Sequence, residues 1–194
     1  MTMPITRKDI VSLDTYRKSR DEYVTKMIAY KKNRRVQLSD HISVLFENRN
    51  TVLFQILELV NSEDLTDPVE LDEYIDIYSY MVPSENELSA TLFIEWDDLD
   101  NLGKLLISLK GIENYLQLVV GDEMIQAVFE EEHDDREATT SVHYLKFPLT
   151  QSAKKRLQDA DDTLQVSLKL IHPNVSEETV LPVACLKSIQ NDLA

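Results

Sequence analysis

Alternation of apolar and polar residues is clearest over Leu88–Trp96. Leu88, Ala90, Leu92, Ile94 and Trp96 share one face of a strand, and Ser89, Thr91, Phe93 and Glu95 share the other. The same period of two marks strands over Ile42–Glu47, Ser141–Leu149 and Leu164–Ile171. Arg35–Leu38 pairs with the first of these around Ser39-Asp40, and Tyr115–Val120 pairs with Met124–Phe129 around Gly121-Asp122. Helical spacing appears elsewhere. Tyr23, Met27, Tyr30 and Arg34, widened by Val24 and Ile28, predict helix through the first 35 residues, with a break near Ser12–Asp14. Val52, Leu53, Ile56, Leu57 and Val60 predict a second helix capped by Asn50. Its polar row runs Thr51, Gln55, Glu58, Ser62.

Punctuation sets the remaining elements. Asp67-Pro68 opens a helix that runs to about Tyr80, before Pro83. Asp97 is expected to cap a helix carrying Leu99, Leu102, Leu105, Leu106 and Leu109 inward, ended by Gly111. Thr150 caps a short helix to Asp159, and Pro182 opens a closing helix bearing Leu186, Ile189 and Leu193. Helices come first, then hairpin-like strands with helical insertions. The expected class is α+β, with a mostly antiparallel sheet of about six strands. Length favours one domain over 1–194, with the helical segment 1–35 packed on a body formed by 36–194.

Composition narrows the function classes. A single cysteine, Cys185, excludes an internal disulfide and cannot hold an iron–sulfur cluster. It sits in an apolar stretch and reads as a small buried hydrophobe. No apolar run reaches membrane-span length, and the N-terminus lacks a signal-peptide core, so a cytoplasmic location is expected. The net charge of −15 disfavours nucleic acid. That charge is uneven. Residues 1–35 hold ten basic residues against four acidic ones, a net of +6, which leaves −21 on the rest. No Lys or Arg lies between Arg49 and Lys104. Either the basic helices pack over the acidic body, or they present an anion or partner surface.

Candidate chemistry is sparse. There is no nucleophile elbow, P-loop, dinucleotide fingerprint or Cys-x-x-Cys pair, and three glycines do not build a phosphate cradle. No cofactor is implied. Glu130 and His133 have Glu-x-x-His spacing, but a second such pair is missing and the run Glu130–Asp135 reads as a solvated acidic loop. His41, His143 and His172 are too scattered for a metal motif, although they could converge with Glu47, Glu58 or Glu95. His143 is either a hydrogen-bonded core histidine or a base, and Glu95 either an ion pair with an arginine or an acid. One possible pocket would gather Arg34, Arg35, Gln55, Arg136 and Ser141 around a small anion, with Glu58, Glu95 and His143 as candidate catalytic groups.

The segments Lys31-Lys32-Asn33-Arg34-Arg35, Leu45-Phe46-Glu47-Asn48-Arg49, Gln55-Ile56-Leu57-Glu58, Ala90-Thr91-Leu92-Phe93-Ile94-Glu95, Gly111-Ile112-Glu113 and Ser141-Val142-His143-Tyr144-Leu145-Lys146-Phe147 occur in order over nearly the whole chain. In these the chain resembles a bacterial family known as domain of unknown function 3501. The resemblance implies a single domain of this size and brings no catalytic residues. Members are often encoded beside a rubrerythrin and an iron–sulfur oxidoreductase. The resemblance therefore implies an accessory or interaction component of a cytosolic redox or peroxide-defence system, with those proteins as partners. A homodimer is the ordinary expectation for a soluble protein.

Overall fold

The structure, a computed structural model, describes residues 4–129, 137–161 and 163–193. A 3-10 turn, Arg7–Asp9, precedes the long helix α1, Leu13–Lys32. The break expected near Ser12–Asp14 is present. Ser12 takes an extended backbone conformation, and its hydroxyl accepts the Thr15 N–H. Strands β1 (Arg35–Gln37) and β2 (Ile42–Glu47) form the first hairpin, followed by α2 (Arg49–Ser62) and α3 (Pro68–Ser79). Then come β3 (Glu87–Ile94), α4 (Leu99–Ser108), β4 (Leu116–Val120), β5 (Glu123–Gln126), β6 (Val128–Phe129) and β7 (Val142–Pro148). The chain ends with α5 (Gln151–Gln158), β8 (Val166–His172), β9 (Val175–Val180) and α6 (Val183–Leu193).

The α+β class with antiparallel pairing holds, but the described strands divide between two sheets. Their orders are β1-β2-β3-β7-β6 and β5-β4-β8-β9. The division occurs at Ala127. Before it, β5 pairs with β4; after it, β6 pairs with β7. The Ala127 N–H still reaches back to the Leu116 carbonyl. One run of chain thus turns the corner from sheet to sheet, so a single hydrophobic core can lie between them.

That core takes Val44 and Phe46 from β2, the even-numbered apolar face of β3, and Leu145 and Phe147 from β7. From the second sheet it takes Leu116, Leu118, Val120, Val166, Leu168 and Leu170, and Ala153, Leu157, Cys185 and Ile189 of α5 and α6 close it. A smaller cluster, Ile5, Val52, Ile56, Val60, Ile75 and Met81, lies among the N-terminal segment, α2 and α3. It packs against Tyr144 of β7, so the helices cover the other face of the five-stranded sheet. As a result every residue of β2 is buried, polar and apolar alike.

Several local expectations shift. Asn48, not Asn50, caps α2, because its Oδ1 accepts both the Asn50 and the Thr51 N–H groups. Asp98, not Asp97, caps α4, accepting from Asn101 N–H at 2.9 Å. Leu99 is 80% exposed rather than inward, since it occupies the first turn beyond the core. Trp96 lies past the end of β3 and is partly exposed. Strand β9, absent from the sequence expectation, forms a hairpin with β8 through the His172–Val175 pair.

Arg34 joins the two ends of the chain. It is 1% exposed. Its Nε donates to the Phe46 carbonyl at 2.7 Å, and its NH1 to Ser188 Oγ at 2.7 Å. Its NH2 donates to the Glu47 carbonyl at 3.2 Å and to Asp192 Oδ2 at 2.5 Å. Asn48 Nδ2 donates to the other oxygen of Asp192 at 2.7 Å. Replacing Arg34 by Met strands Asp192 and two carbonyls, so Arg34→Met should lower unfolding free energy by about 3–5 kcal/mol. Urea denaturation would check this as a lower midpoint at unchanged slope.

Candidate functional site

The polar groups of the fold concentrate where α1 and α2 meet the five-stranded sheet. Alternation along the strands turns Ser43, Leu45 and Glu47 of β2, Ser89, Thr91 and Phe93 of β3, and Tyr144 of β7 away from the main core. Register places Glu47 beside Ser89, and Thr91 between Leu45 and Tyr144. Above them, α2 contributes the row foreseen from its spacing. Thr51 is buried, Gln55 Nε2 reaches Tyr144 Oη at 3.5 Å, and Glu58 meets α1. Inside this layer Glu47 Oε1 accepts from Thr91 Oγ1 at 2.7 Å.

The candidate residues fall into separate places. Arg34 is consumed by the node described above. Arg35, on β1, donates to Glu95 Oε2 at 3.1 Å and Ser43 Oγ at 3.3 Å, with its guanidinium 4.7 Å from the centre of the Phe93 ring. Glu95 therefore takes the ion-pair role. Glu58 receives Arg20 through both of its oxygens, at 2.8 and 2.6 Å, and Tyr16 Oη at 2.8 Å. Ser141 accepts the Ile94 N–H through its carbonyl at 2.8 Å. His143 points to the opposite side of the sheet from Gln55, as the partner of Leu92. It is buried, with Nε2 at 2.9 Å from Thr139 Oγ1 and its ring edge-on to Phe129. Arg136 lies outside the described residues, as does the run Glu130–Asp135. The described members of the expected pocket are thus not gathered in one concavity; the sheet itself separates His143 from Gln55, Glu58 and Arg35.

The three described histidines also stay apart. His41 stacks on Trp96, ring centres 3.7 Å apart, and its Nδ1 donates to the Glu95 carbonyl. His172 Nε2 donates to the Lys110 carbonyl while its Nδ1 accepts from Asn174 N–H. Among the described residues, no group of three or more His, Cys, Asp or Glu side chains comes together as a metal site. Sequence reasoning underrated Glu47. Its signal was present: it shares a face with Ser43 and precedes a helix whose polar row must lie over that face.

Electrostatics match these structural roles. Arg20, then the Tyr16 hydroxyl, holds the Glu58 carboxyl below the usual carboxylate range despite partial burial. For Glu87 burial works in the raising direction, and the Lys146 ammonium with the Ser84 N–H outweighs it, so that carboxyl too is depressed. Burial, more than offsetting Arg34, pushes the Cys185 thiol up to about 12.

Together these features define an α+β protein of two antiparallel sheets with a polar layer under its N-terminal helices. The chain belongs to the family described as protein of unknown function (DUF3501), whose model matches residues 4–193. It is similar to a novel protein of unknown function from Burkholderia pseudomallei K96243, known from a crystal structure at 1.90 Å resolution. The two share 31% identity and superpose with a TM-score of 0.91, over 99% of this chain and 100% of the other. No curated protein matches the chain. No described helix is long and apolar enough to cross a membrane.

Two outcomes follow from the electrostatics. A depressed folded-state pKa for Glu58 contributes stability that is present above its ordinary value of 4.5 and is lost as pH falls below it. Glu58→Gln should therefore be less stable than wild type at pH 7, with the gap closing toward pH 3 in pH-dependent thermal unfolding. Cys185 should resist a thiol-specific disulfide reagent at pH 8 in the native state. It should react stoichiometrically only once urea unfolds the chain.

Proposed function

We propose that this protein acts by docking to other proteins rather than by its own catalysis, as an accessory component of a cytosolic redox or peroxide-defence system. The observation that carries the reading is the engagement of its polar side chains. Arg34, Arg35, Glu58, Glu95 and His143 each close a contact within the fold. An acid–base pair or a guanidinium waiting for an anion is not what these residues offer. Redox chemistry in such a system belongs to the partner, because a lone buried cysteine supplies neither a cluster nor a reactive thiolate. The partners implied by the family resemblance are a rubrerythrin or an iron–sulfur oxidoreductase.

The segment Glu95–Asp100 is exposed along its whole length and carries Trp96 and Leu99 among four acidic residues. Buried tryptophans dominate many interfaces, and this is the chain's single tryptophan. Affinity-tagged full-length protein should recover a rubrerythrin or an iron–sulfur oxidoreductase from its native cytosol in near-stoichiometric yield. Adding that purified partner should change Trp96 fluorescence, and Leu99→Asp should weaken recovery at least tenfold while leaving thermal stability unchanged. Recovery of the tagged protein alone would overturn the proposal.

A further inference from the structure

Glu47 is a buried acid that the fold leaves incompletely bonded. Its residue exposure is 3%. One carboxyl oxygen accepts from Thr91, and the other, Oε2, has no hydrogen-bond donor among the described residues. The neighbouring cations are committed elsewhere. Arg34 reaches the main-chain carbonyl of Glu47, not its side chain. Arg35 turns to Glu95 and Ser43, and Lys146 donates to Glu87 at 2.6 Å. The start of α2 lies next along the chain, and three of the amides there are taken. Asn48 N–H donates to Thr51 Oγ1, and Asn50 and Thr51 N–H donate to Asn48 Oδ1.

A buried carboxylate without a compensating donor or cation is strongly disfavoured. We infer that Glu47 anchors a site for a small monovalent cation, between the five-stranded sheet and α2. The site would take an alkali-metal ion or the ammonium end of a small amine. The surrounding side chains suit that charge. Ser89 is the cross-strand neighbour of Glu47, Thr91 already touches it, and Gln55 and Tyr144 lie over and beside Thr91. One carboxylate among neutral hydroxyl and amide oxygens matches a singly charged guest. A divalent ion would draw several carboxylates, and such a group does not assemble among the described residues.

Thermal unfolding of the full chain at constant ionic strength tests the site. Choline chloride serves as the bulky reference, replaced in turn by sodium, potassium, rubidium and methylammonium chloride. At about five times the dissociation constant, the accepted cation should raise Tm by about 2–4 °C. The isosteric variant Glu47→Gln should lose that rise, and Thr91→Val should reduce it. A response to alkali ions alone identifies a metal-ion site, and one that includes methylammonium identifies an amine site. Crystals soaked in rubidium chloride should show an anomalous peak in contact with Glu47 Oε2. Equal Tm in every salt, an unchanged response in Glu47→Gln, or an ordered water in place of the rubidium peak would each overturn the inference.

Discussion

The guanidinium of Arg34 is the interaction on which the arrangement of this chain turns. A buried cation is tolerated only if its donors are satisfied, and these donors find acceptors on β2 and on the last helix. The residue follows Asn33, the C-cap of α1, and immediately precedes β1. One side chain therefore fixes where the N-terminal helix stops, where the first hairpin begins and where the C-terminal helix docks. Asn48, bonded at once to Asp192 and to the first amides of α2, extends the same network to the next helix.

The charge asymmetry of the sequence is resolved in the same way. Arg7 meets Asp72, Arg17 meets Asp64 and Arg20 meets Glu58. Each of these exposed or half-exposed pairs contributes little alone. Collectively they choose which surface of an acidic body α1 lies against. Part of the basic segment is thus engaged by acidic residues on and after α2 and on α3, while Lys8, Lys18, Lys26 and Lys32 stay exposed.

The same economy bears on function. Residues that look reactive in a linear reading, such as His143, Glu58 and Glu95, are held by near neighbours and by packing. Glu47 differs because both faces of its strand are covered. Its Oε2 has no donor among the described residues, and a small cation would supply the missing positive charge.

Local physics made much of this fold legible. The alternation of Leu88 to Ile94, the break near Ser12, the caps at Asp67 and Thr150, and the turn at Gly121, whose φ of 64° suits glycine, depend on residues a few positions apart. Strand β9 escaped because Ser176, Glu177, Glu178 and Thr179 lie on an exposed edge, where no burial imposes a pattern. The candidate site was legible only in its parts. Alternation and helical spacing identified Glu47, Gln55 and Glu58 as polar positions, but not which of them would meet. Tertiary structure alone decided that the strands split at Ala127, that α2 covers a polar sheet face, and that His143 lies on the other side. Those outcomes rest on contacts between residues far apart in sequence, where burial and donor satisfaction are settled by the whole fold rather than by any local run.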